Sequence, residues 1–178
     1  MFITPEYQKQ QEKLHKTGKY GVAAGRYYGK TVSRIVDKAE IDHLLDYGCG
    51  SRLSLTETLK PKREFKYQCY DPGVEKYSGD PIPAELVVCC DVLEHIEPEF
   101  LDDVLDHLQE LTQHILFCSI HTGPAGKALP DGRNAHLIQQ PMDWWLPKIF
   151  ERFQVQTIQV RTEREFWVVA NNIERPLV

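Results

Sequence analysis

The chain has 178 residues, of which 42% are hydrophobic and 26% are charged. This length and composition are typical of one folded domain, not of a disordered or fibrous protein. The formal net charge of −5 argues against long nucleic acids as partners, and no apolar run reaches the about 18 residues that span a bilayer.

The cellular location is predicted to be the cytoplasm, with no membrane partner. The N-terminal stretch is polar and lacks the apolar core of a signal peptide. The chain has five cysteines and no C-x-x-C pair, and most of the cysteines fall in or beside apolar runs. Such cysteines behave as small hydrophobic residues, so we expect neither disulfides nor a structural zinc site.

The first 40 residues are predicted to be helical. A polar amphipathic stretch covers residues 5–17, and Gly18, Gly21 and Gly25 are expected to interrupt the pattern. Apolar side chains then recur at helical spacing: Tyr28, Val32, Ile35 and Val36. We predict a helical segment over 1–40 that precedes the main domain at 41–178.

After residue 40 the sequence alternates between apolar runs and helical patterns. The runs predicted to be strands cover residues 43–48, 65–71, 84–91 and 114–121. The predicted helices cover residues 54–60, 97–112 and 140–153. The final segments "FQVQTIQVR" and "EFWVVANN" are expected to pair as an antiparallel hairpin. Apolar strands separated by helices indicate an α/β sandwich with a mainly parallel sheet and helices on both faces.

Ligands in such folds bind at the carboxyl ends of the strands. The first strand runs into "DYGCG", in which Gly48 and Gly50 allow the backbone to approach a ligand closely. A dinucleotide site needs a third glycine where this chain has Leu53, and no P-loop pattern is present. Asp71 follows Gly50 by 71 − 50 = 21 residues, close to the about 20 expected for an acid that binds ribose hydroxyls. A nucleoside without a diphosphate fits this pattern, although "DPG" is also a turn signal.

The segments "LLDYGCG", "YQCYDPG" and "VVCCDVLEHI", in this order, resemble the motifs of class I S-adenosylmethionine-dependent methyltransferases. The later "HLIQQPMDWWLPKIFERF" is similar to that family's segment of a histidine, a short loop and a helix ending in an aromatic residue. The resemblance extends over about residues 28–172. It implies a Rossmann-like three-layer fold, S-adenosylmethionine as cofactor and methyl transfer as activity.

The resemblance also implies individual roles around the cofactor. Asp46 would reach the methionine amino group, Asp71 would bind the ribose hydroxyls and Asp80 would meet the adenine amino group. The glycines would pack under the cofactor, and the residues that end the 84–91 strand would flank the methionine. The predicted cofactor-binding residues are therefore Asp46, Gly48, Gly50, Asp71, Asp80, Cys90 and Asp91.

Two features depart from the family pattern. Arg52 stands where many members have a third glycine, so its side chain is expected to point away or the loop to pack less tightly. The span from Asp71 to Ala84 is short, so the next strand of the family is expected to be stunted or absent.

The residues that assist chemistry are less clearly marked. Asp91, Glu94 and His95 have the spacing of one helical face, which suits either a divalent cation or a helix N-terminus. A similar E-x-x-E-H pattern binds metal in ubiquinone-pathway O-methyltransferases, but we favour no metal. His121 at a strand end is predicted to be the general base, and His136 is a second catalytic candidate.

The expected acceptor is a small molecule or a small exposed group. No N-P-P-[YF] or Pro-Cys motif of DNA methyltransferases is present, so nucleic acid is disfavoured. Methylation of a nucleic acid or protein, and a non-catalytic cofactor-binding role, are the alternatives. The resemblance also implies that the N-terminal helical segment 1–40 forms a lid over the cofactor. Tyr20, Arg26 and Tyr27 are expected either to contact the ligands or to form a surface helix entry.

Overall fold

The computed structural model describes residues 2–17 and 20–174, so the predicted interruption at Gly18 and the extreme ends of the predicted segments lie outside the described residues. The helices are α1 (Pro5–Lys16), α2 (Ala23–Lys38), α3 (Ser54–Thr58), α4 (Leu101–Leu111) and α5 (Met142–Phe150). The strands are β1 (His43–Tyr47), β2 (Lys66–Tyr70), β3 (Ala84–Cys90), β4 (Thr112–His121), β5 (Phe153–Thr162) and β6 (Glu165–Asn172).

One sheet joins the strands in the order β2-β1-β3-β4-β6-β5. The four strands from β2 to β4 are parallel, whereas β6 runs antiparallel to both β4 and β5. This arrangement confirms the predicted α/β fold and the C-terminal hairpin. Between Asp71 and Ala84 the only regular element is the single 3-10 turn Glu75–Tyr77, so β2 is an edge strand, as the short span predicts.

Helices cover both faces of the sheet and give the predicted three layers. On one face α2 and α3 bury Tyr28, Val32 and Leu55 against the strands. On the other face α4 and α5 bury an apolar cluster that includes Leu108 and Trp145. Each fully buried side chain of this kind contributes about 1.5–3 kcal/mol to the free energy of unfolding. The two layers thus hold the strand ends in fixed positions.

Gly25 does not interrupt α2, contrary to the sequence expectation, but lies inside its first turns. A Cβ atom at Gly25 would lie 1.9 Å from the Ser54 carbonyl oxygen. The Gly25 N–H also donates to Ser54 Oγ at 3.2 Å. The glycine is therefore required by close packing of α2 on α3, and the helix tolerates its modest propensity cost.

Helix α1 lies across the carboxyl edge of the sheet. Its N-cap is Thr4, whose hydroxyl accepts a hydrogen bond from Tyr7 N at 3.2 Å. The Glu97 carboxylate in turn accepts from Thr4 N at 2.8 Å and from Thr4 Oγ1 at 2.7 Å. These bonds fix the start of α1 to the segment that follows β3. Across residues 2–17 and 20–174, no helix is long and apolar enough to cross a membrane.

Candidate active site

The turn after β1 has a backbone that favours glycine. Gly48 and Gly50 have φ of 80° and 64°, in the left-handed region. Gly48 N and Cys49 N donate to Tyr70 O at 2.7 and 3.1 Å, which joins the turn to the end of β2. A Cβ atom at Gly48 would lie 2.3 Å from Val92 Cγ2. The turn therefore packs directly against the segment after β3.

Asp71 joins this turn to the loop after β2. Its carboxylate is buried, and its Oδ2 accepts from Gly50 N at 2.9 Å while Oδ1 accepts from Gly73 N at 2.9 Å. His15 Nε2 lies 3.8 Å from Oδ2. Burial raises the pKa of Asp71, while His15 and the two backbone N–H groups oppose this rise. Each carboxylate oxygen has a second lone pair, so Asp71 can hold this turn and still accept ligand hydroxyls.

An inner cavity of about 640 Å³, counting the part open to solvent, lies between the glycine turn and α1. The polar groups and glycines in its wall include Gln11, His15, Tyr20, Gly48, Asp71, Asp91 and His95.

Other predicted cofactor residues lie outside this wall. Asp46 is buried behind the turn, where its carboxylate accepts a hydrogen bond from the Tyr67 hydroxyl. Burial raises the pKa of Asp46 to about 7, while the Tyr67 bond lowers it and the Asp71 charge adds to the rise. Cys90, the last residue of β3, is buried in the core, and Asp80 is exposed. The Arg52 side chain is also exposed.

A second space, the outer cavity, opens beside the inner one and measures about 890 Å³, counting the part open to solvent. Its wall includes the predicted residues Arg26, Tyr27, His121 and His136, together with Lys127. The two cavities share four wall residues, which are Tyr20, Gly21, Asp91 and His95. A ligand in one cavity would therefore meet a ligand in the other beside Asp91 and His95.

Three histidine rings lie together at this junction. The His95 and His136 centroids are 4.6 Å apart, and the His121 and His136 centroids are 4.9 Å apart. His95 Nδ1 lies 2.7 Å from Ala135 O, and a carbonyl only accepts, so this nitrogen donates. Desolvation lowers the pKa of His95 to about 4, although the Asp91 charge opposes the shift. Desolvation also lowers the pKa of His136, so burial favours the neutral imidazole at both His95 and His136.

The predicted helical face of Asp91, Glu94 and His95 does not form. Asp91 has a left-handed φ of 59°, and the next residues make one 3-10 turn, Leu93–His95. Glu94 is buried, and its Oε1 accepts from His121 N at 2.6 Å. Burial, with the Asp91 charge, raises the pKa of Glu94 well above its usual range. The i, i+3, i+4 argument was wrong because it assumed an α-helix that begins only at Leu101.

The sequence analysis predicted a helical lid over 1–40 but did not identify the α1 side chains that line the inner cavity. Tyr7, Gln11 and His15 from this helix line the inner cavity, and the side-chain Nε2 of Gln11 is buried without a hydrogen-bond partner in the described part of the chain. The signal was present, since Tyr7, Gln11, Leu14 and His15 have the i, i+4, i+7, i+8 spacing of one buried helical stripe. The polar composition of α1 obscured that stripe.

Solved structures share this fold. The 1,6-didemethyltoxoflavin-N1-methyltransferase of Burkholderia thailandensis, solved with 1,6-didemethyltoxoflavin and S-adenosylhomocysteine, is 13% identical, with a TM-score of 0.67 over 97% of this chain and 92% of that chain. TnmH is 14% identical, with a TM-score of 0.61 over 91% of this chain. The 16S rRNA methylase ArmA is 11% identical, with a TM-score of 0.55 over 93% of this chain and 98% of that chain.

These likenesses confirm the Rossmann-like fold of class I methyltransferases. The chain spans 57% of the length of TnmH but nearly all of the other two proteins. No family model and no curated protein matches the sequence.

Proposed function

We propose that this protein is an S-adenosylmethionine-dependent methyltransferase that acts on a small molecule or a small exposed group. One observation carries the proposal: two cavities meet beside Asp91 and His95, at the carboxyl edge of a methyltransferase-type sheet. Methyl transfer needs a donor and an acceptor aligned within reach of each other, and two adjoining cavities meet that need.

The inner cavity suits the cofactor. Asp71 offers unused lone pairs to ribose hydroxyls, and Gln11 Nε2 offers a buried donor without a partner among the described residues. The glycine turn adds no side chain to the wall. The remaining proposed cofactor-binding residues are Asp46, Gly48, Gly50, Asp80, Cys90 and Asp91. When bound, S-adenosylmethionine supplies a methyl group activated by its positive sulfur.

Helix α1 and the residues up to about 40 are proposed to act as a lid over this cavity. Tyr7 donates to His95 O at 2.6 Å, and Gln8 Nε2 donates to Pro72 O at 2.9 Å. With the Thr4–Glu97 bonds, these contacts hold α1 on both rims of the inner cavity. A lid in this position excludes water from the methyl group and helps to align the acceptor.

The acceptor is proposed to bind in the outer cavity, with His121 as general base and His136 beside it. His121 Nδ1 lies 3.1 Å from both the nitrogen and the oxygen of Gly123, which orients the ring. For a hydroxyl acceptor, the oxygen bonds to the methyl carbon while the carbon–sulfur bond breaks and its electrons stay on sulfur. The hydroxyl proton passes to the imidazole of His121.

A nucleic acid or protein acceptor is the alternative, since matches to this fold include an rRNA methylase. We favour a small acceptor because the chain carries a net charge of −5, which repels a polyanion. The cytoplasm stays the proposed location, supported by five cysteines present as free thiols.

Calorimetric titration with S-adenosylhomocysteine tests the proposal. The folded protein is expected to bind one equivalent, and a screen of metabolite extracts with methyl-labelled S-adenosylmethionine is expected to yield a labelled small product. Binding without turnover on small molecules, RNA or protein would favour a non-catalytic cofactor-binding protein. Absence of binding by the folded chain would contradict the whole proposal.

A further inference from the structure

Asp91, His95 and His136 converge where the two cavities meet. Each residue offers one ligand atom, a carboxylate oxygen from Asp91 and a ring nitrogen from each histidine. These three atoms lie within 4.8 Å of one another. Atoms bound to one ion at about 2.1 Å are about 3 Å apart, so the three groups must close by at most about 2 Å. Rotation of side chains at a cavity wall supplies movements of this size.

Both histidines are oriented as metal ligands usually are. His95 Nδ1 donates to Ala135 O at 2.7 Å, and His136 Nδ1 donates to Gly123 O at 2.7 Å. A carbonyl bound at Nδ1 fixes the tautomer and leaves the Nε2 lone pair free, which is the usual support for a metal-binding histidine. The imidazoles come from the segment after β3 and the segment after β4, and both orienting carbonyls belong to the segment after β4.

Asp91 lacks the partners that a structural acid would have. Its carboxylate accepts no hydrogen bond from any residue in 2–17 and 20–174, although its side chain is half-buried. No helix begins there, because α4 starts at Leu101 and has Asp102 and Asp103 in its first turn. The Oε2 atom of neighbouring Glu94 is also buried without a partner in this part of the chain. The Asp91 carboxylate thus has lone pairs available for a ligand at the junction of the two cavities.

We propose that Asp91, His95 and His136 bind one divalent transition-metal ion, of the Zn²⁺ or Fe²⁺ class, and that this ion binds the hydroxyl oxygen of the methyl acceptor. Two imidazoles and one carboxylate leave coordination positions open for a substrate. The inference rests on the proposed function and extends it, because it makes the acceptor a hydroxyl compound. It also replaces the sequence-based expectation that no metal is needed.

The ion and the base would act on the same proton. An ion of this class lowers the pKa of an oxygen group that it binds, as it does for water. The hydroxyl proton passes to His121, whose ring lies against His136, and the oxygen then takes the methyl group. The carbon–sulfur bond breaks with its electrons on sulfur, so the metal ion keeps its oxidation state.

Metal titration of the chelator-treated and dialysed protein tests the site. Zn²⁺ is titrated by calorimetry and Co²⁺ by visible absorption, and we expect one equivalent of each to bind. The Co²⁺ spectrum is expected to lack a thiolate charge-transfer band, which excludes binding at the five cysteines. Asp91→Asn and His136→Asn are each expected to weaken Zn²⁺ binding at least about hundredfold.

His114→Asn is the matched control, because His114 lies at the amino end of β4 while the site lies at the carboxyl end. It is expected to bind Zn²⁺ like the unaltered protein. Absence of Zn²⁺ binding, or equal binding by the two site variants in a folded state confirmed by circular dichroism, overturns the metal site. Full turnover after chelation overturns the proposed role in binding the acceptor.

A parallel titration with S-adenosylhomocysteine tests cofactor binding separately from metal binding. Cofactor binding without Zn²⁺ binding overturns this inference and leaves the methyltransferase proposal standing. Zn²⁺ binding without cofactor binding supports the metal site and overturns the methyltransferase proposal, together with the acceptor role assigned to the ion.

Discussion

The inner and outer cavities are built in different ways. At the sheet edge the inner cavity is shaped by backbone, with the left-handed Gly48 and a carboxylate held by the N–H groups of Gly50 and Gly73, while α1 covers it with side chains. The outer cavity is lined by side chains from distant parts of the chain, among them Arg26, His121 and His136. A cavity wall made of backbone suits a ligand that stays the same, because substitutions alter it little. A wall made of side chains can be adapted to another ligand by few substitutions.

The difference extends to electrostatics. In the inner cavity the acid Asp71 and the neighbouring Asp46 are kept in place by hydrogen bonds from within the fold. At the junction with the outer cavity, Asp91 accepts no hydrogen bond from the described residues. Asp71 and Asp46 therefore have hydrogen-bond partners within the fold, whereas Asp91 has none among the described residues.

The largest expected effect comes from the outer cavity. His121→Ala is expected to lower the turnover number about 10²- to 10⁴-fold, because a hydroxyl acceptor loses its base. The dissociation constant of S-adenosylhomocysteine is expected to stay unchanged, since His121 lines only the outer cavity. Steady-state kinetics and calorimetry measure the two quantities, with His114→Ala as control. A loss of cofactor affinity in the folded His121→Ala variant would break the separation between the cavities.

The next largest expected effect is that of Asp46 on the pH dependence of the free energy of unfolding. Burial raises its pKa to about 7, above the value near 4 of an unfolded chain. The native state therefore binds a proton that the unfolded state has lost between about pH 4 and pH 7. The free energy of unfolding should decrease by roughly 4 kcal/mol as pH rises through this window.

Asp46→Asn isolates this contribution, because the amide is uncharged and still accepts from Tyr67. Relative to the unaltered protein, the variant should gain stability from pH 4 to pH 8 in urea denaturation. Equal pH profiles for the two proteins would show that the pKa of Asp46 is the same in the native and unfolded states, contrary to the expected rise.

The sequence predicted the inner cavity better than the outer one for a physical reason. The pairing of Gly48 and Gly50 with Asp71 depends on one strand, one turn and the next strand, which are close along the chain. A glycine that needs positive φ and an acid at a strand end leave local signals. The sequence also predicted that the strand between Asp71 and Ala84 would be stunted or absent, because the span between these residues is short.

The outer cavity depends on contacts between residues far apart along the chain, which no local sequence pattern indicates. His95 meets His136 because the loop after β4 returns over the strand ends, and Glu94 turns inward because the segment after Asp91 is a 3-10 turn. The packing of α1 depends equally on distant partners such as Glu97. The helices and strands were predicted closely. Gly25 lies inside α2 and does not interrupt it, because the helix packs on Ser54 at this position.

Asp71 tests the inner cavity directly. Asp71→Asn is expected to weaken S-adenosylhomocysteine binding about ten- to hundredfold, because charge-assisted bonds to two hydroxyls contribute about 1.5–3 kcal/mol. Asparagine is preferred to alanine because alanine would leave the N–H groups of Gly50 and Gly73 without their acceptor. Asp103→Asn, an exposed acid on α4, is the control. An unchanged dissociation constant would assign Asp71 to the turn alone.

Asp80 is expected to give the smallest effect. It is exposed and lies outside the described wall of the inner cavity, so any bond to the adenine amino group competes with water. Such a bond contributes about 0.5–1 kcal/mol, and Asp80→Asn should weaken S-adenosylhomocysteine binding about two- to fivefold. S-inosylhomocysteine, which has an oxygen in place of that amino group, should bind the variant and the unaltered protein equally. If Asp80→Asn weakens the binding of both ligands equally, Asp80 acts on the fold of its loop and does not contact the adenine amino group. The inner cavity would then bind the cofactor without a contribution from Asp80 to adenine recognition.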